Sequence, residues 1–70
     1  MKSLGKDKNG VQIYECDVVI FDGIKYRVFE SFTPEKIALF PYVWDLSELF
    51  EITIVMPGDV ELAKVSDLTD

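Results

Sequence analysis

The dipeptide Asp22-Gly23 constrains this chain more than any other feature. It separates two strongly apolar runs, Val18-Val19-Ile20-Phe21 and Ile24-Lys25-Tyr26-Arg27-Val28-Phe29. β-Branched and aromatic side chains suit a pleated, half-buried surface. Asp-Gly tolerates positive φ at both central positions of a type I′ turn, whose twist matches that of the flanking strands. A β-hairpin is therefore predicted. A two-residue turn sets Phe21 opposite Ile24 and Val19 opposite Tyr26, and it puts Val18 and Ile20 on the face that carries Arg27 and Lys25. Ile24, Tyr26 and Val28 then share one face and the two cations the other, the pattern of a strand with one wet side. Val18 and Ile20 are apolar on that wet side. Either another strand or loop of a strongly bent barrel covers them, or they form a contact between copies of the chain.

Around this hairpin the chain is punctuated by turns. Residues 1–10 show no periodicity and read as a loose lead-in ending at Asn9-Gly10, with a single domain over residues 11–70. Pro34 ends the hairpin in a loop. The run Ile37-Ala38-Leu39-Phe40-Pro41-Tyr42-Val43-Trp44 reads as a strand, and Pro41, which has no amide to donate, places it at an edge or a bulge. Asp45 to Leu49 reads as a single helical turn with Asp45 as N-cap and Glu48 near the positive end of its dipole. Phe50, Ile52, Ile54 and Met56 alternate with Glu51 and Thr53, which predicts a strand with the four apolar residues inward. Met56-Pro57-Gly58-Asp59 has proline second and glycine third, the signature of a type II turn, and so predicts a second hairpin closed by Val60 to Val65. Leu68 is expected to plug an open end. About five short strands with one short helical turn in 70 residues suggest an all-β fold, best matched by a small SH3-like barrel.

A chain this short buries only about 60% of the surface its unfolded form exposes. Nothing staples it, since one cysteine forms no internal disulfide and histidine is absent. The core must supply the stability, and 49% hydrophobic residues with 13% aromatic give it material to do so. No apolar run reaches the roughly 20 residues that span a bilayer, and the N-terminus lacks a secretory h-region. A cytoplasmic protein with no membrane role is expected, in keeping with the unpaired Cys16. Lys2, Lys6 and Lys8 stand against Asp7 alone in residues 1–10, a net +2, which leaves −8 of the overall −6 on residues 11–70. An acidic body of this kind repels phosphate backbones, so direct nucleic-acid binding is not expected. The same charge serves solubility or attracts a basic partner.

Asp7-Lys8-Asn9-Gly10, Ile13-Tyr14-Glu15 and Asp17-Val18-Val19 together resemble, within residues 7 to 30, the segment that opens the barrel part of YopX-like phage and prophage proteins. The resemblance implies a phage or mobile-element origin and a compact β-barrel, and it implies no activity. Cys16 stands where that family usually has glycine. The same residues have a plain structural account: Asn-Gly makes a turn, Tyr14 packs as an amphipathic lid, and Asp17 accepts backbone amide bonds where a strand begins. A glycine replaced by Cys16 marks a bulge built for positive φ.

Chemistry-bearing constellations are missing. Without histidine there is no Ser/His/Asp or Cys/His set. Cys16 lies between Glu15 and Asp17, two carboxylates in place of the electropositive surroundings that a nucleophilic cysteine needs. Asp45, Glu48 and Glu51 fall at helical spacing but lack the close alternation of oxygen ligands that a calcium loop needs. No catalytic residue, cofactor or metal is expected, and the chain reads as non-enzymatic. What remains is binding. Pro41, Tyr42 and Trp44 form the richest aromatic segment in a domain too small to enclose all its rings, so Tyr42 and Trp44 are read either as core or as anchors for a protein partner. The open ladder at Pro41 could accept an added strand. Val18 and Ile20 are candidates for a homo-oligomer contact, and Glu48 and Glu51 for an acidic surface. The leading expectation is a protein-binding module whose partner is unidentified. The alternatives are an acidic, nucleic-acid-mimicking inhibitor of a nuclease or defence protein, and a small-ligand-binding domain.

Overall fold

The computed structural model describes residues 2–43, 52–64 and 66. Its elements are β1 (Ser3–Lys6), β2 (Gln12–Tyr14), β3 (Val18–Phe21), β4 (Ile24–Glu30), β5 (Ile37–Pro41), β6 (Thr53–Val55), a 3-10 turn (Pro57–Asp59) and β7 (Glu61–Leu62). All pairings are antiparallel. β1 and β2 form a two-stranded sheet, and the other five strands form a second sheet in the order β6-β5-β4-β3-β7. The fold is thus mostly β, as expected, but its sheets are open: no ladder joins β6 to β7, so the hydrogen-bonded closure of a barrel is not made among the described residues.

The central hairpin forms in the predicted register, with Phe21 opposite Ile24, Ile20 opposite Lys25, Val19 opposite Tyr26 and Val18 opposite Arg27. Asp22 and Gly23 both hold positive φ, 54° and 77°, as a type I′ turn requires. Val19 and Val28 are fully buried on the inner face, whereas Ile24, expected beside Val28, is exposed at the start of its strand.

β5 departs from expectation in an instructive way. It is an interior strand, flanked by β4 and β6, rather than an edge. Pro41 is tolerated because it is the last residue of β5, opposite Tyr26, while β6 pairs only with Ile37, Ala38 and Leu39. Tyr42 N–H donates to the Lys25 carbonyl at 3.2 Å, so by alternation the missing amide of Pro41 faces the side that β6 does not reach.

β6 is turned over relative to the prediction. Val55 lies opposite Ile37 and Thr53 opposite Leu39, both of them fully buried. The pleat therefore turns Thr53 and Val55 inward and leaves Ile52, Ile54 and Met56 exposed on the other face. Periodicity misleads here because Ile-Thr-Ile-Val-Met is apolar on both faces, and the buried residues of β5 decide which one is used. Phe50 and the expected turn at Asp45 to Leu49 lie outside the described residues, as does Leu68.

The second hairpin does not form. β6 and β7 occupy opposite edges of the sheet, and β7 pairs with β3 through Val19–Leu62 and Ile20–Glu61. Asp59 N–H does reach back to the Met56 carbonyl at 3.0 Å, but as a 3-10 turn in which Gly58 has no positive φ. This tighter turn carries the chain across rather than back. The proline-second, positive-φ-third turn appears instead at Thr33–Lys36, where Glu35 holds φ 67° and Lys36 N–H donates to the Thr33 carbonyl at 3.2 Å.

The expected loose lead-in is also corrected, because Ser3–Lys6 is strand β1, paired with β2. Gly5 is needed there: its φ is 125°, and a Cβ would lie 2.7 Å from Pro57 Cγ. The small sheet therefore seats directly on the 3-10 turn. Ile13 of β2 and Val60 after the turn join Val19, Val28, Ile37 and Leu39 in one buried cluster, with Leu4, Phe21, Tyr26, Val55 and Leu62 packed around it.

Candidate functional site

Residues 7–17 form two devices, both built from backbone hydrogen bonds. The first is a clamp. Asp7 is the one buried charged residue among those described, at 5% exposure. Its Oδ1 accepts from Asn9 N–H at 2.9 Å and Val11 N–H at 2.8 Å, and its Oδ2 accepts from Leu62 N–H at 3.0 Å. Burial pushes the carboxyl up, but the bonds from Leu62, Val11 and Asn9, with Lys8 nearby, outweigh it and hold Asp7 below its ordinary value. Lys8 N–H adds a bond to the Val60 carbonyl at 2.9 Å. Ala63 N–H donates to the Val18 carbonyl, so Val60 and Leu62 point the other way, and the Asp7-Lys8-Asn9-Gly10 turn seals the outer edge of β7.

The second device is a bulge. Cys16 N–H donates to the Val28 carbonyl at 2.8 Å, Val28 N–H donates to the Asp17 carbonyl at 2.9 Å, and Cys16 holds φ 72°. Two residues thus face one across the ladder, the first of them left-handed, which is the geometry a glycine serves best. Asp17 Oδ2 accepts from Tyr14 N–H at 2.8 Å, the backbone-accepting role read from its position. Tyr14 is half-buried and Cys16 is exposed.

The outer face of the large sheet is different in kind. Register brings Phe29, Ala38 and Ile54 into one row and Arg27 and Phe40 into the next. Phe29 and Phe40 meet edge to face, with ring centroids 4.9 Å apart. With Phe32, Pro41, Ile52 and Ile54 they line an open groove of about 770 Å³ whose few polar neighbours include Glu30 and Ser31. Phe32 is fully exposed, and Ile52 and Ile54 are 51% and 43% exposed. Beside the groove, Arg27 lies over the Tyr42 ring at 5.2 Å and donates from Nη1 to the Cys16 carbonyl at 3.1 Å. Tyr42, which follows the groove-lining Pro41 in the chain, is thereby held in place.

Of the candidates read from sequence, Pro41 lines this groove and Tyr42 stands beside it, both half-buried. Val18 and Ile20 are half-buried on the same side of the sheet as Arg27 and Lys25, away from the groove lining. Trp44, Glu48 and Glu51 lie outside the described residues. Sequence reasoning missed Phe29, Phe32, Ile52 and Ile54. Phe29 was detectable, since it is two residues from Arg27 and so belongs to the face read as wet. Among the described residues no cluster of three His, Cys, Asp or Glu side chains could hold a metal ion, and no helix is long and apolar enough to cross a membrane. No family model, curated protein or solved structure matches the chain.

Proposed function

We propose that this is a non-enzymatic protein-binding module that uses the outer face of β4, β5 and β6. The observation that carries the reading is the apolar groove in which Phe32, Ile52 and Ile54 stay exposed beside Pro41 and Tyr42. A contiguous apolar surface with a polar tip such as Tyr42 at its rim is what a protein partner desolvates most favourably. Acidic mimicry is supported less well, because Glu30 at the groove is already paired with Lys2 at 2.7 Å. An SH3-like arrangement is part of the proposal: four strands follow one another across the sheet, and the fifth returns past a 3-10 turn to the opposite edge. The resemblance over residues 7 to 30 supports a phage or mobile-element origin, with action inside the cell that carries it.

A photo-crosslinking residue placed at Phe32, compared with one at the exposed Ile24, tests this in lysate of the source cell. A discrete adduct from Phe32 alone, retained when salt is raised, is the expected result. Adducts from both positions, or loss of the Phe32 adduct with salt, overturn it in favour of a diffuse or charge-driven contact.

A further inference from the structure

The two edges of the five-stranded sheet are treated differently. The β7 edge is sealed by Asp7 and Lys8 through Leu62 and Val60. β6 has one neighbour among the described strands, β5. Thr53 and Val55 lie opposite Leu39 and Ile37, and alternation from the Tyr42–Lys25 bond makes these the hydrogen-bonded pairs. The backbone N–H and C=O of Ile52 and Ile54 consequently point along the sheet, away from β5. Natural edges are blunted with charges, proline or bulges. Residues 52–56 read Ile-Thr-Ile-Val-Met, with no charge and no proline. Ile52, Ile54 and Met56 are 51%, 43% and 45% exposed, and alternation through β6 sets Ile52 and Ile54 along the groove with Met56 next in the series just past the strand's end.

We propose that β6 pairs antiparallel with β6 of a second copy of this chain, about a two-fold axis at Ile54. The stripe is complementary to itself in that register. Ile54 meets Ile54 of the second copy in a hydrogen-bonded pair, and Ile52 meets Met56 on either side, so every exposed apolar residue of the edge gains an apolar partner. A partner chain with charges along its strand would lose those contacts, while a second copy brings none to residues 52–56. The contact joins two five-stranded sheets into one and uses the exposed row of the outer face. It is small, so the dimer should dissociate on dilution. Although Ile52 and Ile54 also line the groove, this pairing rests on the edge of β6 that no other described strand pairs and not on the groove occupant proposed above.

Sedimentation equilibrium of the full chain over a wide concentration range is the experiment. A reversible monomer–dimer equilibrium is expected, with Ile54→Lys weakening it at least about tenfold by setting two cations together at the axis. Ile54 is exposed, so the variant should keep the parent's circular dichroism and thermal transition. Ile52→Lys should also weaken the dimer, and adding Met56→Glu should restore it, because only the antiparallel register brings those positions together across the axis. A parent that stays monomeric at the highest concentrations, or a dimer indifferent to Ile54→Lys, overturns the proposal. So does failure of the paired substitution to rescue a folded Ile52→Lys variant, and the edge would then be left to an extended segment of another protein.

Discussion

Two residues stand where this backbone would be better served by glycine. Cys16 holds φ 72° at the first position of its bulge, and Glu35 holds φ 67° in the Thr33–Lys36 turn. A side chain in the left-handed region costs about 1 kcal/mol or more. Glycine relieves that cost but gains freedom in the unfolded chain, which returns part of it. Cys16 is exposed and its thiol makes no buried contact that the substitution would lose. Cys16→Gly is therefore expected to raise stability by about 0.5 to 1 kcal/mol, read as a higher urea midpoint at unchanged slope. A lower midpoint would mean that the strain is already relaxed by the bulge. This position was legible only in part: Asp17 and the apolar run after it mark the start of a strand, while the bulge itself becomes visible only in the pairing of Cys16 and Asp17 with Val28.

At the scale of elements, legibility followed local determinism. The β3–β4 hairpin could be read to the residue because Asp22-Gly23 admits few other conformations and both flanking runs want the same register. In β6 the local alternation chose the wrong face, because Thr53 and Val55 are also compatible with burial, and their pairing with the buried Leu39 and Ile37 decided. The turn before β7 failed for a related reason: Pro57-Gly58 is compatible with both a type II turn and a 3-10 turn, and only the position of β3 determines which one the chain needs. The groove was half legible, through Pro41 and Tyr42, because its other residues come together only once three strands are in register. The hairpin turn is also the place to test this reasoning. Gly23 has open space around it, so a larger side chain meets no neighbour and the effect of substitution is purely backbone. Gly23→Val should then cost about 1 to 2 kcal/mol from strain at positive φ. Equal denaturation of variant and parent would mean that the turn can change type without disturbing β3 and β4.

At the scale of the whole molecule, the fold closes through its two ends. Residues near the N-terminus cap a strand near residue 62, and the sheet they form with β2 rests on the turn that carries the chain from β6 to β7. The bond from Asp7 to Leu62 and the seating of Gly5 on Pro57 are far apart in sequence, and neither could be read from the apparently aperiodic first ten residues. The link from residue 7 to residue 62 runs through Asp7, whose buried carboxylate accepts from three backbone amides. Because its folded pKa lies below its ordinary value, while the unfolded chain titrates near 3.9, the ionised clamp contributes its full stability above the unfolded value. That contribution is lost as pH falls through the folded one. Asp7→Asn keeps the shape but replaces one acceptor oxygen with an amide donor, so at neutral pH it should cost about 1 to 3 kcal/mol. The gap between parent and variant should then narrow steadily as pH falls below about 4, because the protonated parent also loses an acceptor. Urea unfolding at neutral pH and at several acidic values measures both curves. Parallel curves across that range would show that Asp7 acts through shape alone, and that the two ends are joined by the packing of Leu4, Gly5 and Pro57 rather than by the charge.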